Sequence, residues 1–179
     1  MSKEVENKKF NTKQQIIFGL FEMMMKKPYA DITVKEICEK AEVSRMTFYR
    51  NFHTKEDVIF GQFEMVYSTF IKQLVIQNRF TFYDVATTFF TTIKENQLMM
   101  EAIVKNDLSN FLLNALRGYI KTLVDNQILV TREKSSKMLV AMISGGLTEV
   151  IITWTRDGMK QPVDELVIFA SKYMHFKTN

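Results

Sequence analysis

Only two prolines and six glycines interrupt this chain of 179 residues, and this scarcity of helix-breaking residues constrains the fold more than any other feature. Long uninterrupted segments favour helices over a fold of many short strands and turns. Hydrophobic residues make up 46% of the chain, enough to bury a sizeable core and to exclude general disorder. The sequence therefore predicts an all-α fold.

Apolar residues recur at spacings of three and four, the period of a helix that is buried on one face. Capping-box spacing places helix N-caps at Thr12, with Gln15, and at Thr33, with Glu36, and Ser44 caps the third helix. Together with the prolines and turn residues, these signals predict nine helices: Thr12–Lys27, Val34–Lys40, Arg45–Asn51, a long helix from Thr54 through Leu74, Phe82–Lys94, Gln97–Lys105, Leu108–Asn126, Arg132–Arg156 and Pro162–His175.

The excess positive charge lies entirely in the first third of the chain. Residues 1–55 contain 11 Lys and Arg against 7 Asp and Glu, whereas residues 56–179 contain 13 of each. A basic module beside a neutral body indicates a polyanionic partner for the module alone. The single cysteine, Cys38, excludes an intrachain disulfide, and the N-terminus has no apolar signal-peptide core, so we expect a cytoplasmic protein.

One apolar stretch, Met138–Thr155, reaches the minimum length for a membrane span. It contains Glu149 near its centre, and a carboxylate is costly in lipid. We therefore expect no membrane partner and interpret this stretch as a buried helix at a protein–protein interface.

Two short helices joined by a three-residue turn, after a longer scaffold helix, have the arrangement of a helix-turn-helix. On a helical wheel of the third helix, Phe48 and Phe52 lie on one side, and Met46, Thr47 and Arg50 lie opposite. The apolar side can pack on the scaffold while the polar side meets base edges in a major groove. The alternative interpretation of this segment is a solvated helix that binds nothing.

The pattern Thr33-Val34-x-x-Ile37-Cys38-x-x-Ala41-x-Val43-Ser44-x-x-Thr47-Phe48-Tyr49-x-x-Phe52-x-x-Lys55-Glu56-Asp57 resembles the signature of the TetR family of bacterial regulators. The match covers Thr12 to Ile59 at fixed spacing. The segment from Ser44 to Phe52 also resembles the branch that includes the dihydroxyacetone-kinase operon activator. Two positions depart from the family: Glu42 replaces a glycine that precedes Val-Ser, and Pro28 replaces a glycine at the end of the first helix. Position 42 is one where a positive φ is expected.

The resemblance implies a helix-turn-helix DNA-binding domain at residues 1–55 and a helical regulatory and dimerisation domain at 56–179. It also implies double-stranded operator DNA as a partner. For His53 two interpretations stay open: it binds a phosphate of the DNA backbone, or it does not contact DNA. The DNA-binding residues that it implies are Thr33, Ser44, Arg45, Met46, Thr47, Tyr49, Arg50, Asn51, His53 and Lys55. Thr33, Tyr49 and Lys55 are expected on phosphates.

The C-terminal part resembles the last two helices of the family, which pair with a second copy in a homodimer. The interface residues predicted there are Gly145, Gly146, Glu149, Trp154, Val167 and Ala170. Family members often hold a small molecule between helices of this body. Phenylalanine and methionine side chains are the candidates for such a pocket, although they are more often plain core: Phe63, Phe70, Phe89, Phe90, Met99 and Phe111.

The leading interpretation is a dimeric repressor that a small apolar effector releases from its operator. The first alternative is a dimeric activator controlled by a protein co-regulator. The second is a helical interaction module without DNA binding. Two histidines and one cysteine, without metal-ligand spacing or a glycine-rich phosphate loop, predict no enzyme, no catalytic residues, no metal and no cofactor.

Overall fold

The computed structural model describes residues 11–77, 81–125 and 136–173. Within these ranges it contains nine α-helices, one short 3-10 helix at Tyr29–Asp31 and no strand, which confirms the predicted all-α fold. The helices are α1 (Thr12–Met24), α2 (Val34–Lys40), α3 (Arg45–Asn51), α4 (Lys55–Gln77), α5 (Phe82–Glu95), α6 (Gln97–Lys105), α7 (Ser109–Asp125), α8 (Ser136–Arg156) and α9 (Val163–Tyr173).

The chain forms two compact units, an N-terminal unit of Met1–Ile59 and a C-terminal unit of Phe60–Asn179. In the N-terminal unit α1 packs on α2 and α2 packs on α3. In the C-terminal unit α7 and α6 pack on α8, and α5 packs on α9. Three predicted boundaries lie outside the described residues: the start of the eighth helix at Arg132, the end of the seventh at Asn126 and the end of the ninth at His175.

Helix caps explain most boundaries of the N-terminal unit. Thr33 and Glu36 form the predicted capping box, and Ser44 accepts from the N–H of Thr47. The first helix is one residue out of register with its predicted cap: Asn11 and Gln14 form the box, in place of Thr12 and Gln15. Both pairs have the required spacing, but asparagine is the stronger N-cap.

The first helix also ends earlier than predicted, at Met24 instead of Lys27. The N–H groups of Lys26 and Lys27 both bond to the carbonyl of Met23, so the chain tightens into a turn there. Pro28 disfavours helical backbone in the residue before it, which explains why the last predicted turn does not form.

In the C-terminal unit, the interior is formed by aliphatic, methionine and aromatic side chains from every helix. Met100, Ile103 and Leu112 are almost completely buried, and Trp154 is buried against Phe90 with ring centroids 6.1 Å apart. The indole N–H of Trp154 donates to the carbonyl of Gln161 at 3.1 Å, which ties the end of α8 to the turn before α9.

Within the described residues, the segment Lys137–Arg156 of α8 has the length and apolar composition to cross a membrane. Its residues Ile143, Ser144 and Ile151 are nonetheless buried within the C-terminal unit. A core helix passes the same length and composition test, so this segment is weak evidence for a membrane span.

Candidate functional site

One side of α3 is fixed in the interior of the N-terminal unit. Phe48 is completely buried and Phe52 is nearly so, with their ring centroids 6.1 Å apart. The ring of Tyr49 meets the edge of Phe48 at 5.4 Å, which holds that tyrosine at the margin of the core. These contacts leave the opposite side of α3 facing solvent.

The exposed side of α3 carries two arginines and a methionine. Met46 is 81% exposed, and Arg45 and Arg50 are exposed beside it. Guanidinium groups on an exposed helix face suit hydrogen bonds to guanine edges and phosphates, and an exposed apolar side chain suits contact with a thymine methyl group. The geometry therefore has the chemistry of a recognition helix.

The remaining polar residues of α3 are engaged with the helix itself. Ser44 Oγ and Thr47 Oγ1 are 2.9 Å apart, and Thr47 is half-buried. Asn51 donates from Nδ2 to the carbonyl of Thr47 at 2.8 Å. Thr47 and Asn51 thus stabilise the ends of α3, and the arginines and Met46 are the freer groups on this helix.

The turn between α2 and α3 requires a left-handed residue, and Glu42 occupies that position with φ of 54°. The N–H of Val43 donates to the carbonyl of Cys38 at 3.0 Å, and the N–H of Glu42 donates to that of Glu39 at 3.3 Å. This is the Schellman pattern that most often uses glycine. The positive φ expected at Glu42 is confirmed, and the turn forms with a glutamate in the glycine position.

The N-terminus of α2 is fixed by Thr33, whose hydroxyl donates to Glu36 at 2.8 Å. Lys27 forms an ion pair with Glu36, with Nζ 2.6 Å from Oε1. Hydrogen bonds from Lys27 and from the backbone and hydroxyl of Thr33 lower the pKa of Glu36 to about 2. Thr33 is exposed at the start of α2, and its N–H and hydroxyl both donate to the carboxylate of Glu36.

The ammonium of Lys55 is held by the N-terminal unit itself. Nζ donates to the carbonyls of Tyr29 at 2.8 Å, Ile32 at 3.0 Å and Ala30 at 3.3 Å. It also lies 4.3 Å from the centroid of the Tyr29 ring, while the Tyr29 hydroxyl donates to Glu56 at 2.8 Å. Since an ammonium has three N–H donors, these bonds use all of them.

His53 is exposed between α3 and α4, and its backbone N–H donates to Asp57 at 3.0 Å. Asp57 also accepts from the N–H of Thr54, and Thr54 Oγ1 accepts from the N–H of Asp57. Burial opposes ionisation, but the hydrogen bonds from Thr54 and His53 outweigh it and keep the pKa of Asp57 below its ordinary value. The start of α4 is therefore fixed by a carboxylate.

The C-terminal unit contains an apolar cavity of about 120 Å³. Of the predicted pocket residues, Phe63, Phe70, Phe89 and Phe90 line it. Met99 is buried but does not line it, and Phe111 packs on Phe60 with centroids 5.2 Å apart. The other lining residues are Val66, Tyr67, Phe82, Val85, Ala86, Thr92, Ile93, Met100, Leu112, Ala115, Leu116, Tyr119, Ile120, Leu123, Ile143, Leu147 and Ala170.

Polar groups at the cavity are few. The rings of Tyr67 and Tyr119 stack in parallel, with centroids 4.0 Å apart. Thr92 lies on the wall, but its hydroxyl is engaged with the carbonyl of Thr88 at 2.7 Å and with Gln73 at 3.2 Å. The surface of the cavity is therefore almost entirely apolar.

The predicted interface residues are divided between the surface and the core of the C-terminal unit. Glu149 and Gly146 are exposed, and a Cβ added at Gly145 would meet nothing within 4 Å. Trp154, Val167 and Ala170 are buried inside the unit and already have neighbours there. The large apolar residues exposed on α8 and α9 are instead Met138, Met142, Ile168, Phe169 and Tyr173.

Two family models match the chain. The model described as "Transcriptional regulator C-terminal region" in the TetR family matches residues 81–176, more than half of the chain. The model described as "Bacterial regulatory proteins, tetR family" matches residues 16–60. The chain belongs to the TetR family. It is therefore a DNA-binding transcriptional regulator with an N-terminal helix-turn-helix.

Several solved structures share the fold along almost the whole chain. A Listeria innocua protein superposes with a TM-score of 0.74 at 20% identity, covering 92% of this chain and 91% of that one. A TetR transcriptional regulator from Streptococcus agalactiae has a TM-score of 0.62 at 19% identity, covering 88% and 90%. The dihydroxyacetone kinase operon activator DhaS has a TM-score of 0.60 at 15% identity, covering 90% and 93%.

No curated protein sequence matches the chain. At 15% identity the likeness to DhaS shows a shared fold and no closer relation, so the TetR family is the level at which the chain is placed.

Two features of this TetR-family chain were missed by sequence reasoning. Tyr67 and Tyr119 line the cavity, although apolar residues spaced by three and four along α4 and α7 do mark those faces. The bonds from Lys55 to Tyr29 and Ile32 join residues 26 and 23 positions apart. No local pattern reports a contact at that separation.

Proposed function

We propose that this chain is a cytoplasmic, homodimeric repressor that reads a two-fold operator in double-stranded DNA and is released by a small apolar effector. Residues 1–55 supply DNA binding, and residues 56–179 supply dimerisation and regulation, without an enzymatic reaction. The observation that carries the proposal is the division of α3, where Arg45, Met46 and Arg50 are exposed opposite the buried Phe48.

In this proposal the contacts differ in role. Arg45, Met46 and Arg50 face the bases, while Ser44 and the exposed Tyr49 meet phosphates. Thr33 caps α2, because its hydroxyl is already donated to Glu36. Thr47 and Asn51 shape α3 from within, in agreement with their hydrogen bonds to Ser44 and to backbone. His53 and Lys55 act mainly by holding the start of α4, because the ammonium of Lys55 is already engaged.

The dimer is supported by the apolar surface of the last two helices. Met138, Met142, Gly146 and Glu149 follow one another at spacings of three and four on α8 and are all exposed. Ile168 and Phe169 are exposed on α9. Two copies joined through these helices would be related by a two-fold axis, and their recognition helices would read half-sites in successive major grooves.

The cavity favours small-molecule control over control by a protein co-regulator. A concave, apolar site is the usual form of a small-molecule pocket, so the cavity of about 120 Å³ in the C-terminal unit supports a small ligand. The name of DhaS, an operon activator, motivates the alternative of an activator under protein control. Release from DNA by a small molecule in purified components would decide between them.

The proposal is tested by selecting bound sequences from a random duplex pool with the purified protein. We expect an enriched, roughly palindromic site. Light scattering of the protein should give a dimer of about twice 21 kDa. Enrichment of a single half-site by a monomer would contradict the dimeric reading. Absence of any enrichment, with general salt-sensitive binding only, would contradict sequence-specific recognition.

A further inference from the structure

We propose that Met46 is a specificity-determining residue, which selects the C5-methyl group of a thymine in the major groove of each operator half-site. This inference rests on the proposed function and deepens it, because it names a chemical group of the DNA that the protein recognises. Three properties of Met46 carry it: its place in the first turn of α3, its exposure and its lack of a hydrogen-bond donor.

Met46 lies on the side of α3 that the interior of the N-terminal unit leaves free. The helix begins at Arg45, with Ser44 as its N-cap, so Met46 is in its first turn. Phe48, two residues further on, is completely buried, and the helical period turns Met46 away from it by about 200°. In a helix-turn-helix the N-terminal residues of the recognition helix contact base edges. Met46 is in that part of the helix and on its free side.

The exposure of Met46 is large for an apolar side chain. It is 81% exposed, whereas Tyr49, the other exposed large apolar residue of α3, is 52% exposed. A methionine side chain is unbranched and flexible, so it adapts to the surface that it contacts. Contact with an apolar group of the DNA would remove this surface from water, and that burial favours the complex.

The chemistry of Met46 selects one group on the base edges. Its side chain has no N–H or O–H donor, so it has nothing to give to a phosphate oxygen or to the acceptors of guanine. The apolar group that base edges present in the major groove is the C5-methyl of thymine. The guanidinium groups of Arg45 and Arg50, on the same exposed side, are donors and suit guanine. Met46 therefore complements the arginines by favouring thymine at a neighbouring position.

The test removes single methyl groups from the DNA. Each thymine in one half-site of the selected operator is replaced in turn by uracil, which lacks the C5-methyl group, and fluorescence anisotropy of the labelled duplex measures binding of the full-length protein. We expect one position at which uracil weakens binding by about fourfold, the effect of one buried methyl group. Met46→Ala should bind the thymine and uracil operators alike at that position, and Met46→Leu should keep a preference for thymine.

A second arm separates the methyl group from the rest of the base. At the same position, cytosine and 5-methylcytosine differ by the methyl group alone and pair with the same guanine. Wild type should bind the 5-methylcytosine duplex about fourfold more tightly than the cytosine duplex. Met46→Ala should not distinguish the two duplexes.

Thr47→Ser is the matched control, because it removes a methyl group from the residue next to Met46 and keeps the hydroxyl that lies 2.9 Å from that of Ser44. This variant should retain the difference between thymine and uracil. A difference that persists in Met46→Ala, or that Thr47→Ser abolishes while Met46→Ala keeps it, would overturn the role of Met46.

Failure of this inference is distinguishable from failure of the proposed function. A dimer that binds its operator specifically but is indifferent to every thymine methyl group, or that selects a half-site without thymine, would overturn the role of Met46 and leave the repressor proposal intact. Absence of any sequence-specific binding would overturn both.

Discussion

The two units of this molecule are stabilised in different ways. In the N-terminal unit, side chains bond to backbone groups at the ends of helices: Thr33, Ser44 and Asp57 cap helices, and Lys55 holds three carbonyls. In the C-terminal unit, apolar contacts dominate and line a cavity of about 120 Å³. Polar bonds fix one geometry because they are directional, whereas the cavity of the C-terminal unit leaves space that a ligand can fill. We expect the first unit to act as a rigid reader and the second to be the responsive part.

The largest expected effect comes from removing a buried phenylalanine in each unit. Phe48→Ala and Phe90→Ala should each lower the free energy of unfolding by about 3–5 kcal/mol, because both rings are almost fully buried. Toluene should restore stability to Phe90→Ala more than to wild type, since Phe90 lines the cavity. Urea denaturation with and without toluene measures this. If toluene stabilised Phe48→Ala as much as Phe90→Ala, the two units would not differ in their response to a ligand.

Lys55→Met sharpens the comparison within the N-terminal unit. The loss of bonds to three carbonyls should lower the free energy of unfolding by about 1–3 kcal/mol. DNA binding should weaken while its salt dependence stays as in wild type. If Lys55 instead contacted a phosphate, the variant would reduce the magnitude of the slope of log K against log salt by about 0.9.

The control for this variant is Lys35→Met, because Lys35 is exposed and has a weak pair with Glu39 at 3.7 Å. It should change the free energy of unfolding by less than about 0.5 kcal/mol. A shallower salt slope in Lys55→Met, together with unchanged stability, would show that Lys55 binds a phosphate and contradict this prediction.

Two of the left-handed residues, Glu42 and Asp107, give a matched pair of smaller effects. Glu42→Gly should raise the free energy of unfolding by about 1 kcal/mol, because Glu42 has φ of 54°. Asp107 has φ of 55° in an equivalent turn after α6, and Asp107→Gly should stabilise less, since aspartate tolerates this conformation better. Thermal unfolding of both variants measures the difference, and a loss of stability in Glu42→Gly would mean that its side chain has a favourable role.

The smallest expected effect is on acid stability. The pKa of Glu36 is lowered from 4.5 to about 2, so the folded state favours the ionised form. The contribution is therefore present above pH 4.5 and is lost as the pH falls toward 2. Glu36→Gln should flatten the pH dependence of N-terminal unfolding in that window, which hydrogen exchange of the α2 amides measures. An identical acid profile in wild type and variant would contradict this.

Local rules account for what the sequence predicts well. The caps at Thr33 and Ser44, and the inward positions of Phe48 and Phe52, follow from three-residue spacings and helical period. The predicted cap at Thr12 was wrong by one residue because Asn11 and Thr12 both satisfy the same local rule. The nine helices of the described residues were predictable for the same reason.

Side-chain placement in the C-terminal unit depends on packing between distant helices, and sequence reasoning was less informative there. Met99 and Met100 are adjacent and both buried, but of these two only Met100 lines the cavity. Trp154 was expected at a dimer interface and is buried against Phe90. Helical period gives a face to each residue, but it does not say which neighbour covers that face.

The central claim is that α3 reads bases through Arg45 and Arg50, and it is tested most directly on the selected operator and its scrambled counterpart at several salt concentrations. Wild type, Arg45→Ala, Arg50→Ala and the control Arg117→Ala, exposed on α7, are titrated on each. We predict that at least one of the two α3 variants loses about 1–3 kcal/mol on the operator and relaxes its preference at one base position, while the control matches wild type. Unchanged base preference in both α3 variants, with altered preference in Lys55→Met, would contradict the account.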